Sequence, residues 1–309
     1  MSLEREITIS GGDYEHMLGI AGTHEDFRLA YEPMRVQDIF RGMLESRRFE
    51  VCEYSLANYI TLRGTGQQWM TAVPVFPYRA FRHGLAVTRV DSPLTKLDQL
   101  AGKRIGVEDY SMTAAVWFRG ILQDEYGVDL RSIKWVTKSR QRFPLPANAT
   151  IEQTDTDLEQ LVTRGEIDVL LGFNLRDGQR AQNERQLRTV LADPKAEERA
   201  YYERTGIYPI MHTVVMREDV LAQNPQLPAA IYAAYTAAKE QAYRRQLGAT
   251  LVPWGKHHWA CAFGLFDGDP LPYGLTEGNR MQVERLAGYL KQQGFIPAAP
   301  SVESLFPSS

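Results

Sequence analysis

The chain has little cysteine, no excess of charge of one sign and no long hydrophobic run. Its two cysteines, Cys52 and Cys261, form no CxxC or other metal-ligand spacing, and each is interpreted as a small buried hydrophobe. The formal net charge of −3 gives no electrostatic case for nucleic acid or an acidic membrane as partner. No apolar run reaches the roughly 18 residues that a membrane span needs.

What the chain does contain is the balance of a soluble globular protein. It has 309 residues, of which 44% are hydrophobic and 24% charged, and this length predicts a large core and two domains. The first residues, Met1 to Glu6, are charged and show no signal-peptide pattern. We therefore expect the protein to be cytoplasmic.

Alternating strand and helix patterns open the chain. Strands are predicted at Glu6–Ser10, Phe49–Tyr54 and Met70–Phe76, and helices at Met34–Arg47 and from a Ser55 cap to about Arg63. This β-α-β-α-β order implies a parallel sheet with right-handed crossovers.

A second α/β set follows, and then long helices. Further strands are predicted at Leu85–Thr88, Arg104–Val107, Ile133–Val136, Ile167–Leu171 and Ile207–Met216, and the tail helices at Asn224–Leu247, Gly255–Leu265 and Thr276–Gln293. We predict a bilobed α/β protein with residues 1–84 and 209–309 in lobe I and residues 85–208 in lobe II. The strands near residues 83–88 and 208–215 would form the two inter-lobe crossings, with a ligand in the cleft.

The turn after the strand Arg104–Val107 is a candidate anion site. Ser111 or Thr113 is expected to cap the following helix. The free N–H groups of its first turn would then face the carboxyl edge of the sheet and suit a carboxylate. The alternative is an ordinary strand–helix turn that binds nothing.

Two sets of motifs resemble known families. Val90-Asp91-Ser92-Pro93-Leu94 and Leu97 to Val107 resemble the second lobe of type II periplasmic binding proteins. Gly12 to His16, Phe76 to His83, Tyr208 to Val215 and Asp269 to Leu275 with Asn279-Arg280 resemble the 4,5-dihydroxyphthalate decarboxylases. The resemblance covers nearly the whole chain and implies a cytoplasmic carboxy-lyase on a binding-protein fold.

The chemistry that this resemblance implies is a non-oxidative decarboxylation in phthalate degradation. A catechol with two adjacent carboxylates, 4,5-dihydroxyphthalate, loses one carboxylate as CO2 and gives protocatechuate. Such a site needs cations for two carboxylates, a base for a phenol and an acid at the ring carbon. Arg79 and Arg82 suit the carboxylates, because guanidinium binds a carboxylate by a two-point fork. They share a face only if their segment is helical.

Three histidines are the candidate acids and bases, because imidazole titrates closest to neutrality. They are His16, His83 and His212, each at a strand end or a lobe crossing, and we expect them to converge. Asp13 and Glu53 end the first two strands and could accept a phenolic proton or orient a histidine. No organic cofactor is implied, and a divalent metal held by these carboxylates and imidazoles is an open alternative.

Four further residues are assigned to the substrate. Ser111 and Thr113 would hold a carboxylate at the helix N-terminus, Ser55 ends the second strand, and Asn174 could donate an amide or simply form a turn. The partner expected is a small aromatic dicarboxylate. The alternative function is a substrate-binding protein for a small carboxylate in transport or sensing. The tail helices could pack on the first lobe or pair with another subunit, which leaves a homo-oligomer open.

Overall fold

The computed structural model describes residues 6–24, 26–172, 175–248 and 250–306, and the chain divides into two compact units. The first unit comprises Met1–Arg79, Ile210–Met281 and Pro300–Ser309, and the second comprises Ala80–Pro209 and Gln282–Ala299. The sequence-based division kept the whole tail in lobe I. Residues 282–299 instead belong to the second unit, where Tyr289 packs edge-on against Trp117 and Gln293 accepts a hydrogen bond from Arg119.

Twelve strands are described. In chain order they are β1 (Glu6–Gly11), β2 (Gly22–His24), β3 (Phe27–Pro33), β4 (Val51–Ser55), β5 (Met70–Val73), β6 (Ala86–Arg89), β7 (Arg104–Val107), β8 (Lys134–Lys138), β9 (Thr150–Thr154), β10 (Val169–Leu171), β11 (Leu187–Thr189) and β12 (His212–Arg217).

Ten α-helices are described. They are α1 (Val36–Ser46), α2 (Leu56–Gly64), α3 (Thr113–Tyr126), α4 (Leu158–Arg164), α5 (Pro194–Thr205), α6 (Glu218–Gln223), α7 (Leu227–Leu247), α8 (Gly255–Leu265), α9 (Glu277–Gln292) and α10 (Val302–Leu305). Among the described residues, no helix is both long enough and apolar enough to cross a membrane.

The sheet of the first unit has the order β2-β3-β1-β4-β12-β5. Strands β3, β1 and β4 are parallel, and β12 lies antiparallel between β4 and β5. The three strands of the predicted β-α-β-α-β order, β1, β4 and β5, run in the same direction, and the returning chain inserts β12 antiparallel between β4 and β5. All five residues of β4 are buried, as its central place in the sheet requires.

The start of α2 was predicted correctly. Ser55 is the N-cap, and its hydroxyl accepts a hydrogen bond from the Asn58 backbone N–H. This contact satisfies one of the free donors of the first helical turn. The predicted cap of α3 was wrong: α3 begins at Thr113 with Met112 as its N-cap and no side-chain cap.

The sheet of the second unit has the order β11-β6-β10-β7-β8-β9. Strands β10, β7, β8 and β9 are parallel, whereas β6 runs antiparallel to β10 and β11. Helix α3 is buried along ten consecutive residues, Thr113 to Leu122. A side chain at Gly120 would meet the Tyr289 ring at 2.2 Å, so this helix and α9 approach closely only because that position is glycine.

Candidate functional site

Glu53 is the centre of the candidate active site in the first unit. Its side chain is only 1% exposed, and it accepts three hydrogen bonds. The Gly12 N–H donates to Oε2 at 2.7 Å, and the Tyr14 hydroxyl and His212 Nδ1 donate to Oε1 at 3.1 Å and 2.5 Å. A buried carboxylate is costly unless it is satisfied in this way. Glu53 is therefore held as an acceptor at a fixed place.

The pairing of Glu53 with His212 follows from strand register. Within β4 and β12, Ser55 lies opposite His212 and Glu53 lies opposite Val214. Residues two apart on a strand face the same side, so Glu53 and His212 are diagonal neighbours on one face of the sheet. Both ends of this pair come from strands that the sequence predicted, but their adjacency depends on the inserted antiparallel strand.

The Glu53 contact fixes the tautomer of His212. A carboxylate only accepts, so Nδ1 carries the proton and Nε2 is left as the working atom of the neutral ring. Phe40 packs edge-on against the imidazole at a centroid distance of 5.0 Å, and Tyr78 lies at 5.0 Å with a tilt of 34°. These rings restrict the orientation of the imidazole. Glu53 holds Nδ1, so Nε2 is the ring nitrogen that can exchange a proton with a substrate.

His16 is the second imidazole of the site. Its Nε2 lies 2.8 Å from the Pro77 carbonyl oxygen, which accepts only, so Nε2 donates and Nδ1 keeps the lone pair. Burial lowers the pKa of His16 below its usual value, against an opposing effect of the Pro77 hydrogen bond. The neutral ring is therefore favoured near pH 7, which suits a base.

The rings of His16, Tyr14, Tyr78 and His212 form an aromatic row. Tyr14 stacks on His16 at 5.4 Å and on Tyr78 at 5.8 Å, with ring planes within 5° and 9° of parallel, and the row continues from Tyr78 to His212. Such offset stacks are favourable contacts. Burial, followed by the charge of Glu53, raises the pKa of Tyr14. The Tyr14 phenol therefore stays protonated and acts as a donor.

Two glycines make room for this row. A side chain at Gly12 would meet the Tyr14 ring at 2.3 Å, and one at Gly11 would meet the Tyr31 hydroxyl at 2.3 Å. Tyr31 donates to the Gly12 carbonyl at 2.7 Å. The loop after β1 can therefore follow this path only without side chains at these two positions.

The Arg79 side chain hydrogen-bonds residues of the first unit. It is 4% exposed, and its Nη2 donates to the Pro272 carbonyl at 2.9 Å and to Asn279 Oδ1 at 2.6 Å. The Asn279 amide in turn donates to the Pro272 and Gly274 carbonyls. The segment from Pro272 to Asn279 is thus held in place by its hydrogen bonds to Arg79 and within itself. The assignment of Arg79 to a substrate carboxylate stays a prediction.

The other predicted residues of the first unit lie at the edge of this arrangement. The Asp13 side chain is exposed, beside Gly12 and Tyr14 in sequence. Ser55 is buried, and its hydroxyl serves as the cap of α2. The described contacts therefore bring together Glu53, His16 and His212, while Asp13 and Ser55 stay candidates by position only.

His83 has a different environment, in the second unit. It is 1% exposed, and neither ring nitrogen has a hydrogen-bond partner among the described residues. Tyr201 and Tyr126 contact its ring at 4.9 Å and 6.2 Å. Burial lowers the pKa of His83 to about 4, with a smaller contribution from the charge of Arg204. The surroundings favour a packing role, and the catalytic assignment stays a prediction.

Arg82 precedes His83 and is also buried, at 4% exposure. Its carbonyl accepts from the Leu85 N–H, and its charge partly offsets the burial that raises the pKa of Glu198. Glu198 accepts from the Gly84 N–H at 3.1 Å. The described contacts give Arg82 a structural setting and leave its role in carboxylate binding as a prediction.

The predicted anion site before α3 already contains a carboxylate. Asp109 Oδ1 accepts from both the backbone N–H and the hydroxyl of Ser111, at 2.8 Å and 2.6 Å. Arg142 pairs with the other oxygen of Asp109 at 3.0 Å. The Ser111 donors are thus engaged within the chain, and Thr113 is the first residue of α3. Asn174, the last predicted contact, lies outside the described residues.

The described side chains show no preformed group of metal ligands, and a divalent metal stays a prediction. Across residues 6–24, 26–172, 175–248 and 250–306, no three or more His, Cys, Asp or Glu side chains group as metal ligands. At Glu53, both oxygens accept hydrogen bonds, and His212 Nδ1 is held by one of them.

The residues that the sequence reasoning missed are Tyr14, Tyr78 and Gly12. All three lie inside motifs that had been singled out, between candidate residues, and received no role. An aromatic residue flanked by Asp13 and His16 was a signal that could have been used, since phenols can donate to buried carboxylates. The residue that receives this bond, Glu53, is distant in sequence.

Two known proteins are similar to this chain in sequence, and both are named 4,5-dihydroxyphthalate decarboxylase. The 4,5-dihydroxyphthalate decarboxylase of Comamonas testosteroni is 31% identical over 307 residues, covering 91% of this chain and 89% of the relative. The 4,5-dihydroxyphthalate decarboxylase of Pseudomonas putida is 33% identical over 147 residues, covering 44% of this chain and 57% of the relative. No family model matches the chain.

Solved structures define the fold. The periplasmic sulfonate-binding protein SsuA of Methylobacillus flagellatus has a TM-score of 0.59 at 13% identity, covering 98% of this chain and 92% of its own. The desulfurization enzyme DSZB has a TM-score of 0.52 at 14% identity, covering 98% and 97%. The predicted type II periplasmic-binding-protein-like fold is confirmed. With a relative of this identity along nearly its whole length, the chain belongs to the 4,5-dihydroxyphthalate decarboxylase family.

Proposed function

We propose that this protein is a carboxy-lyase that converts 4,5-dihydroxyphthalate to protocatechuate and CO2 in phthalate degradation. The observation that carries the proposal is the buried Glu53–His212 pair with His16 linked to it through Tyr14. In a chain of this family, that arrangement provides one imidazole suited to accept a proton and another suited to deliver one. The proposed compartment is the cytoplasm, and a homo-oligomer stays a prediction.

The first step uses a base at the phenol. His16 Nδ1 takes the proton of the hydroxyl para to the departing carboxylate, and the phenolate electrons move into the ring. Burial supports this role, because it lowers the pKa of His16 and favours the neutral ring near pH 7. The Pro77 carbonyl holds Nε2–H, so the lone pair is on the nitrogen that reacts.

The second step places a proton on the ring carbon. His212, charged and paired with Glu53, donates from Nε2 to the carbon that bears the carboxylate, which gives a cyclohexadienone. The C–C bond then breaks, CO2 leaves, and its electron pair restores the aromatic ring as a phenolate. His16 returns its proton to that phenolate and His212 takes one from water, so the net reaction consumes one proton.

A product assay tests this proposal. Purified protein is incubated with 4,5-dihydroxyphthalate, with and without a chelator, and CO2 and protocatechuate are measured. We expect turnover in both arms, and a loss of about 10²–10⁴-fold in kcat for His16→Gln and His212→Gln, as for removal of a general acid or base. His258→Gln, an exposed histidine on α8, is the matched control and should behave as wild type.

The predicted substrate contacts are tested in the same assay. Replacement of Arg79 or Arg82 by lysine keeps the charge and removes the planar fork. If either residue holds a substrate carboxylate, its variant raises KM more than it lowers the unfolding temperature. If it is structural, stability falls and KM does not change.

The alternative is a binding protein for a small carboxylate, and the sulfonate-binding fold is the observation that favours it. A thermal shift with 4,5-dihydroxyphthalate, no product, and unchanged ligand on recovery would support this alternative. Product formation that His16→Gln and His212→Gln leave unchanged would refute the assigned acid and base.

A further inference from the structure

Tyr14 and His212 donate to the same atom. The Tyr14 hydroxyl and His212 Nδ1 both reach Glu53 Oε1, at 3.1 Å and 2.5 Å, while the Gly12 N–H occupies Oε2. Two donors on one oxygen share its electron density, so each weakens the bond of the other. The strength of the Glu53–His212 contact therefore depends on the Tyr14 phenol.

The ring of Tyr14 is held in one orientation. It lies between His16 and Tyr78 in near-parallel stacks, and the absence of a side chain at Gly12 leaves room for it. Moving the hydroxyl oxygen away from Glu53 would require the ring to shift and would disturb both stacks. The phenol is therefore presented to Glu53 by packing and not by a mobile side chain.

We propose that Tyr14 is a positioning residue that sets how strongly Glu53 stabilises the charged, proton-donating form of His212. This inference rests on the proposed function, in which charged His212 is the acid. A carboxylate that loses a donor becomes a stronger acceptor for its remaining partner. Removal of the Tyr14 hydroxyl should therefore strengthen the bond to His212 and keep its imidazole charged to higher pH.

The titratable groups around this pair come from several elements of the first unit. From β4 the group is Glu53, from the segment after β5 it is Tyr78, and from the loop after β1 they are Tyr14 and His16. Phe40 of α1 contacts His212 and does not titrate. Further away, the charge of Glu53 acts on Cys52 of β4, Tyr31 of β3, Tyr235 of α7 and Tyr273. Exposed Asp13 lies in the loop after β1, and the charge of Lys239 from α7 acts on His16. Tyr14 is the neighbouring side chain that hydrogen-bonds Glu53 Oε1 beside His212, so its removal should act on the pair directly.

The test compares Tyr14→Phe with Tyr31→Phe. Both remove one phenolic hydroxyl near the same loop, but Tyr31 donates to the Gly12 carbonyl and not to Glu53. The first readout is the pH dependence of kcat with 4,5-dihydroxyphthalate. Tyr14→Phe should move the alkaline limb upward by about half to one pH unit, the equivalent of one hydrogen bond, and Tyr31→Phe should leave that limb in place.

The second readout needs no turnover. The proton on His212 Nδ1 is followed by NMR in the free protein, with His212→Gln to assign the signal. Tyr14→Phe should move this resonance downfield, as expected for a stronger bond to the carboxylate, and Tyr31→Phe should not move it. Tyr14→Leu removes both the hydroxyl and the ring stacks, so comparing it with Tyr14→Phe distinguishes the effect of the hydroxyl from that of the ring.

The two readouts distinguish the ways in which the reasoning could fail. If wild type shows no decarboxylation, the proposed function fails, and the NMR signal still reports on Tyr14. If the signal and the alkaline limb are the same in wild type and Tyr14→Phe, or move equally in Tyr31→Phe, the role assigned to Tyr14 is refuted.

Discussion

Protonation of His83 should destabilise the folded protein at mildly acidic pH. This imidazole is 1% exposed, contacts Tyr126 and Tyr201 and has no hydrogen-bond partner among the described residues. Burial lowers its pKa from 6.5 to about 4. The unfolded chain therefore binds a proton below about pH 6.5, whereas the folded chain resists it down to about pH 4.

The size of the effect follows from that interval. The free energy of unfolding decreases as the pH is lowered wherever the unfolded state binds more protons than the folded state. For His83 the loss is absent above about pH 6.5, reaches about 2 kcal/mol at pH 5, and levels off near 3 kcal/mol below about pH 4. At about 2–4 °C per kcal/mol for a chain portion of 150–250 residues, the change in unfolding temperature is measurable.

His83→Leu isolates this contribution. Leucine cannot be protonated, so its packing cost is the same at every pH, and only the slope of stability against pH should change. Thermal unfolding is recorded from pH 7 to pH 4.5 for wild type, His83→Leu and the exposed control His258→Leu. We expect the curves of wild type and His83→Leu to converge, or cross, as the pH falls.

Parallel curves would refute the reasoning, because they would mean that His83 is hydrated or paired in the folded protein. Turnover by the same variant at pH 7 settles its role. If His83 only packs against tyrosines, kcat should be retained in proportion to the folded fraction. A large loss of kcat in fully folded His83→Leu would restore His83 as a catalytic residue.

Three further outcomes are expected. Asn279→Ala should lower stability by about 2–3 kcal/mol in urea unfolding, because it removes a buried side-chain acceptor of the Arg79 guanidinium, with kcat of the folded protein retained. Gly12→Ala should abolish turnover, because the new methyl group would meet the Tyr14 ring at 2.3 Å. Near-ultraviolet circular dichroism should show a disturbed aromatic environment. An unchanged spectrum with full activity would contradict the geometry. Ser55→Ala should lower stability by about 1 kcal/mol in urea unfolding through loss of a helix cap, whereas unaltered stability would show that the cap is dispensable.

The sequence alone determined the local elements and the identity of the chemical groups. Strand β7 and helix α8 were predicted with their observed ends, and the Ser55 cap was found, because apolar period and capping chemistry act between near neighbours. The motif around His16, the end of β4 and the start of β12 marked the right segments. The resemblance carried by those motifs named the family.

Only the tertiary structure decided which of these groups meet. The Glu53–His212 contact needs an antiparallel strand from residues 212–217 beside β4, and register between distant strands leaves no local trace in the sequence. Arg79 was assigned to the substrate because guanidinium suits carboxylates, yet its partners at Pro272 and Asn279 lie almost 200 residues away. Ser111 is the exception, because its partner Asp109 lies only two residues away and this local contact could have been expected from the sequence. The sequence identified the chemical groups by residue type, whereas the contacts of Glu53 with His212 and of Arg79 with Asn279 depended on long-range packing.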